Sequence, residues 1–224
     1  MGVRNNNDTN ENKDSKSDFH FLTSKNALII FVRNPELGKC KTRLAETVGD
    51  EAALEVYKHL LQHTAHVAKS IVADRFVFYS EMVQKNDIWD DDIFIKKLQS
   101  EGDLGMKMEH AFFEIFQMDY EKIIIIGSDL FELKPQHINE AYQHLNTNEA
   151  VIGPAKDGGY YLLGLTSMKE FLFRNKSWST SKVLEETLNN LKENNIKFTT
   201  LELLNDIDTY DDLIASNDNQ NDYN

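Results

Sequence analysis

The sequence predicts an α/β sandwich built around a mostly parallel sheet. Three observations carry that expectation. Short apolar runs such as Ala27-Leu-Ile-Ile-Phe-Val32 and Lys122-Ile-Ile-Ile-Ile-Gly127 read as strands buried on both faces. Between them lie longer segments with apolar residues at three- and four-residue spacing, the period of an amphipathic helix. The two kinds of segment alternate along the chain, which is the pattern of crossover connections rather than of an all-β or all-α protein.

Taken in order, residues 27–32 form the first strand, and a turn containing Pro35 and Gly38 follows. Residues 51–71 are helical, with Ala53, Val56, Leu60, Thr64, Val67 and Ile71 along one stripe. Residues 75–80 and 93–98 are strands. Residues 104–118 form a helix whose apolar side holds Met108, Ala111, Phe112, Ile115 and Phe116. Residues 122–127 are the clearest buried strand, and Pro135 opens the next helix from its first turn. Residues 150–153 and 160–165 are strands flanking a glycine-rich turn. A helix at 181–194, a strand at 197–203 and a short helix at 210–215 complete the pattern.

The chain has 224 residues, enough for one full-sized domain. Residues 1–25, rich in Asn, Asp, Ser and Lys, are expected to be a disordered leader. Residues 26–216 form a single domain, and residues 217–224 a polar tail. Against 24 Lys and Arg stand 37 Asp and Glu, a net charge of −13. So acidic a chain is a poor partner for nucleic acid or for an anionic membrane surface. A single cysteine, Cys40, excludes an intrachain disulfide framework and a Cys-rich metal site. No apolar run approaches the roughly 18 residues of a membrane span. The N-terminus lacks a signal-peptide core, and Asn6 breaks the myristoylation pattern. The expected location is cytoplasmic.

In doubly wound sheets ligands sit at the carboxyl ends of the strands, here just after Val32, Gly127, Gly153 and Leu203. Residues 33–43 hold Arg33, Lys39, Lys41 and Arg43 against Glu36, a net of +3. A cationic strand–loop–helix junction suits phosphate, because backbone N–H groups and the positive helix end point the same way. It is no Walker A loop, since Cys40 stands where a glycine is required. Gly127-Ser128-Asp129 delivers a carboxylate at a strand end, where it could hold Mg2+ or Mn2+ or cap the next turn. Asp206 and Asp208 would share a face in extended chain, although Asp208 or Thr209 could equally cap the final helix. In residues 153–161, Gly158 and Gly159 allow close backbone approach, and Asp157 would stand at the mouth of the site. Asp103 is a natural N-cap. His59, His63 and His66 lie beside the apolar stripe without partner ligands and read as a boundary face.

Together these segments resemble a family of bacterial GT-A-fold transferases: the radical-SAM/selenodomain-associated, arsenosugar-biosynthesis-type glycosyltransferases. That family is related to the molybdenum-cofactor and phospholactate guanylyltransferases. The matching pieces are Pro35-x-x-Gly38-x-x-Lys41-Thr-Arg-Leu44, Gly102-Asp-Leu-Gly105, Gly127-Ser-Asp129, Gly153-Pro-Ala-x-Asp-Gly-Gly-Tyr-Tyr161, Trp178-Ser-Thr180 and Asp206-x-Asp208-Thr. They run from about residue 27 to 213. Two positions depart: Arg33 replaces the family's usual Lys, and Leu130-Phe131 replaces a Cys-Pro pair.

The resemblance implies a GT-A, nucleotide-diphospho-sugar transferase-like, three-layer sandwich with a mostly parallel mixed sheet. It also implies a nucleotide-activated donor and a divalent metal, Mg2+ or Mn2+. Asp129 and Asp208 would be the metal acids. Arg33, Gly38, Lys41, Thr42, Arg43, Asp103, Ser128, Gly158, Gly159 and Trp178 are candidates for contact with the nucleotide or substrate, and Asp157 for orienting the acceptor or taking its proton. The expected function is transfer of a sugar from a nucleotide-sugar to a small-molecule acceptor. The alternatives are nucleotidyl transfer from a nucleoside triphosphate with release of pyrophosphate, and a nucleotide-binding module without turnover.

Overall fold

The computed structural model describes residues 23–221, with side chains described to Ser216. The expected leader therefore lies outside the described residues except for its last three. There the Thr23 amide donates to Asp74 at 3.1 Å, and the Lys25 carbonyl accepts from Glu121 at 2.9 Å.

Among the described residues seven strands form one sheet: β1 (Asn26–Val32), β2 (Asp74–Tyr79), β3 (Phe94–Leu98), β4 (Lys122–Ile126), β5 (Ala150–Pro154), β6 (Tyr160–Leu165) and β7 (Phe198–Thr200). Their order across the sheet is β3-β2-β1-β4-β6-β5-β7. All pairings are parallel except the two made by β6, which runs against both β4 and β5. The helices are α1 (Thr42–Val48), α2 (Asp50–Lys69), α3 (Leu104–Phe116), α4 (Pro135–His144), α5 (Val183–Glu193) and α6 (Tyr210–Asn221).

The strand period of two sorts β1 between two cores. Leu28, Ile30 and Val32 pack with Tyr57, Leu61 and Ala65 of α2 and Ile138 and Ala141 of α4. Ala27 and Ile29 pack on the other face with Met108, Phe112 and Ile115 of α3 and Leu191 of α5. Helices thus cover both faces, which is why β1 and β4 read as unbroken apolar runs. The mixed, mostly parallel three-layer sandwich is the predicted fold.

Three elements differ from expectation. Helix α1 follows directly on the cationic loop. It buries only Leu44, too little to leave a periodic signal. Strand β7 is confined to three residues, after which the Leu201 amide donates to the Ile152 carbonyl at 2.8 Å and an isolated bridge pairs Leu204 with Ala155. Helix α6 runs to Asn221, so the stretch read as a polar tail begins inside a helix. His63 bonds the Leu133 carbonyl at 2.8 Å, tying α2 to the segment before α4.

Candidate active site

The site is assembled where the carboxyl ends of β1 and β4 meet the loops following β5 and β7. The cationic loop is pinned first. The Tyr57 hydroxyl accepts from the Arg33 amide at 2.9 Å and donates to the Arg33 carbonyl at 3.0 Å. Burial pushes that hydroxyl up to about 12, so it stays protonated. Asn34 ties the loop to the end of β2, its amide donating to Met82 O at 2.8 Å and its Oδ1 accepting from Glu81 N at 3.0 Å. Cys40 is buried, with its thiol directed at the Asn34 carbonyl 3.4 Å away.

From this loop Lys41 enters the site. It has φ +50, an uncommon conformation for a non-glycine residue, and its side chain is 7% exposed. Its Nζ lies 3.1 Å from Asp129 Oδ2 and 3.0 Å from Asp208 Oδ1. Arg43, mostly exposed, pairs with the other oxygen of Asp208. Asp129 follows β4, and its carbonyl accepts from the Ile207 amide at 3.0 Å, fixing the 206–208 segment beside it. Thr209 and Asp212 cap α6 reciprocally: the Thr209 amide donates to Asp212 at 2.8 Å, and the Asp212 amide to Thr209 Oγ1 at 3.3 Å. Asp208 is thereby free of the capping role that the sequence left open.

Asp129, Asp206 and Asp208 bring carboxylate oxygens within 4.8 Å of one another. Burial, then the charges of Asp157, Asp129 and Asp208, push the Asp206 carboxyl up to about 6. Burial also opposes ionisation of Asp208, but Lys41 and then Arg43 outweigh it and hold its carboxyl below the usual range. Burial opposes the charge on Lys41 too, and Asp129 and Asp208 override it, so the ammonium is held above its ordinary value.

Two adjoining cavities meet over this cluster. One, of about 520 Å3, is lined by Arg33, Lys41, Thr42, Arg43, Tyr57, Gln99, Lys107, Ser128, Asp129 and Asp208 among others. The second, of about 660 Å3, is lined by Asp157, Gly159, Tyr160, Trp178, Ser179, Asp206 and others, and shares Arg33, Arg43, Asp129 and Asp208 with the first. Both volumes suit small organic ligands.

Most of the residues expected from the sequence converge here. Three stand back. Gly38 turns the loop with φ +73 and lines neither cavity. Asp103 caps α3 by accepting from Met106 at 2.9 Å. Gly158, with φ +88, makes its close approach to the chain itself: a Cβ there would lie 2.3 Å from the Ser181 carbonyl oxygen. Asp157 accepts from the Gly159 amide at 2.7 Å.

The sequence offers the Asp206–Asp208 pair as the source of a second acidic ligand and favours Asp208 alone, and it gives no sign of Tyr57, Gln99, Lys107 or Ser179. Tyr57 sits on the apolar stripe of α2, where nothing distinguishes it from core. Gln99 follows β3, its Nε2 donating to the Val32 and Phe78 carbonyls at 3.2 and 2.9 Å.

A family described as "Uncharacterized protein conserved in bacteria (DUF2064)" matches residues 63–180. No curated protein matches the chain. Among solved structures, a proposed nucleotide-diphospho-sugar transferase from Desulfovibrio desulfuricans G20 is 29% identical. It has a TM-score of 0.82, with 89% of this chain and 90% of that one covered. The 4-diphosphocytidyl-2C-methyl-D-erythritol synthase of Anaerococcus prevotii DSM 20548 has a TM-score of 0.54 at 11% identity, covering 88% and 96%. The inositol-1-phosphate CTP transferase of T. maritima has a TM-score of 0.53 at 14% identity, covering 86% and 93%. These last two share the fold alone; the match to a nucleotide-diphospho-sugar transferase-like structure is that of the Desulfovibrio protein. Among the described residues no helix is long and apolar enough to cross a membrane.

Proposed function

The chain belongs to the bacterial DUF2064 family, and we propose that within it this protein is a metal-dependent transferase moving a sugar from a nucleotide-sugar to a small acceptor. One observation carries the reading: three carboxylates and two cations gathered at the junction of two ligand-sized cavities. The name of the 29%-identical Desulfovibrio protein supports the same donor class. A link to radical-SAM or arsenosugar biosynthesis belongs to this proposal and rests on the motif resemblance.

A divalent cation fits the donor set. Asp129, Asp206 and Asp208 offer only oxygen, the ligand Mg2+ and Mn2+ prefer, and the Lys41 ammonium lies between two of them as a stand-in cation. Asp129 and Asp208 would hold the ion, with Asp206 as a third carboxylate. When bound, it supplies Lewis-acid stabilisation of the departing diphosphate.

The protein's own groups do the rest. Arg33, Lys41 and Arg43 neutralise phosphate charge that grows as the sugar–oxygen bond breaks, electrostatic help that strengthens toward the transition state. The second cavity holds the acceptor against Asp157 and Trp178. As the acceptor hydroxyl oxygen bonds to the anomeric carbon, its proton passes to the Asp157 carboxylate and nucleoside diphosphate leaves.

The test is a thermal-shift panel of nucleoside triphosphates, diphosphates and nucleotide sugars, each with Mn2+, Mg2+ or EDTA. A ligand of the native state raises the melting temperature. The expected result is a metal-dependent shift, largest with a nucleotide sugar and absent in Asp129→Ala. Free nucleoside diphosphate as product supports sugar transfer, whereas pyrophosphate replaces it with nucleotidyl transfer. No shift by any nucleotide with any metal defeats the donor site.

A further inference from the structure

We infer that Lys41 is an exchangeable counter-ion. It fills the divalent-cation position when no ion is bound and swings to the donor's phosphates when the ion and nucleotide arrive, so that the two bind as a coupled pair. This rests on the metal site proposed above.

The inference follows from distances and charge. Lys41 Nζ stands 3.1 Å from Asp129 and 3.0 Å from Asp208, on the oxygens that face the gap between them. Mg2+ or Mn2+ bound there would need its oxygens at about 2.0–2.2 Å. An ammonium and a divalent ion cannot share one gap of that size. Three carboxylates within 4.8 Å repel one another, and Asp157 adds to the field at Asp206. In the ligand-free protein the buried ammonium relieves that repulsion. Arg43 cannot do so equally, because it meets only the outer oxygen of Asp208 and is 63% exposed.

Once displaced, a lysine head that was 7% exposed needs another anion. Lys41 also lines the first cavity, beside Arg33, Thr42 and Arg43. Its four-carbon stem lets the ammonium cross from the carboxylates to a phosphate in that cavity without moving the loop. The divalent ion alone must evict Lys41 without offering it a partner, while a diphosphate offers one. Each ligand therefore strengthens the other, by the same factor in both directions.

The experiment measures Mn2+ binding by the electron paramagnetic resonance of free Mn2+, on the full chain at fixed pH and salt. It compares the wild type, Lys41→Met, Lys41→Gln and Arg43→Gln, with and without ADP, GDP, CDP or UDP. Lys41→Met is expected to bind Mn2+ alone about tenfold or more tighter than the wild type, since typical couplings span 5–150-fold. The diphosphate that tightens Mn2+ binding in the wild type should do so less in this variant, and Arg43→Gln should tighten Mn2+ binding far less. Where Lys41→Met fails to fold, Lys41→Gln carries the same expectation with a polar side chain. The exchange is overturned if the Lys41 variants bind Mn2+ alone no tighter than the wild type, or if Arg43→Gln tightens binding equally. If no form of the protein binds Mn2+ with any nucleotide, the metal site itself is wrong.

Discussion

Gly158→Ala is the sharpest test of how the acceptor side of the cleft is built. Gly158 has φ +88, where an alanine incurs about 1 kcal/mol of backbone strain. Its new methyl would also lie 2.3 Å from Ser181 O and 2.6 Å from Ser181 Cα. Those are backbone atoms, tied further because the Leu184 amide donates to the Gly158 carbonyl at 2.9 Å. Overpacking of this kind costs about 1–3 kcal/mol. The expected loss is therefore about 2–4 kcal/mol, a fall in melting temperature of roughly 5–15 °C for a domain this size. Gly159→Ala is the internal control. Its nearest atom is Asp157 Oδ1 at 3.1 Å, the end of a side chain that can turn away, so the cost stays under about 1 kcal/mol. Thermal or urea unfolding of the two variants decides the matter. If Gly158→Ala unfolds no earlier than Gly159→Ala, the glycine is not there to seat the 179–182 segment. Its place would then have to be explained by a ligand.

Two further outcomes follow from the same contacts. Tyr57→Phe removes the one hydroxyl that serves both the amide and the carbonyl of Arg33. It should cost about 1–3 kcal/mol in unfolding free energy and weaken nucleotide binding in a titration, because the cationic loop loses its tether. Glu149 accepts from the nearly buried Lys169 at 2.9 Å, which holds its carboxyl below the usual range against the opposing effect of burial. A lowered acid adds stability above its ordinary pKa and loses it as pH falls through the lowered value. Glu149→Gln should thus lose about 1 kcal/mol at neutral pH, a low figure because Glu149 is half exposed and water can take its place. The gap between variant and wild type should close below about pH 4 in a series of urea melts.

The strands and major helices were legible because their signals are local. An isoleucine run between polar residues, or a stripe at helical spacing, reports burial that any α/β fold must provide. Helix α1 is silent in the sequence for the converse reason, since a seven-residue helix burying only Leu44 carries no period. The direction of β6 is set by the length of its connection. Five residues separate β5 from β6, and so short a connection cannot make a parallel crossover. The paired glycines were legible as a place of close approach, but not what approaches: at Gly158 it is Ser181, far along the chain.

By itself the sequence determined the layered α/β fold and the residue types that end each strand: cations after β1, carboxylates after β4 and in the loop that follows β7. It also pointed to the position of any ligand, because parallel sheets leave that end open. Only the tertiary structure decided which charges meet. Lys41 lies 88 residues from Asp129 and 167 from Asp208, and the three come together because the strand order sets β1 beside β4 and leads the last loop back across them. Spacing along the chain sets Asp206 beside Asp208, but does not say that both meet Asp129, or that Thr209 and Asp212 free Asp208 from capping. Those outcomes depend on the tie between the Asp129 carbonyl and the Ile207 amide, a contact between segments with no local relation.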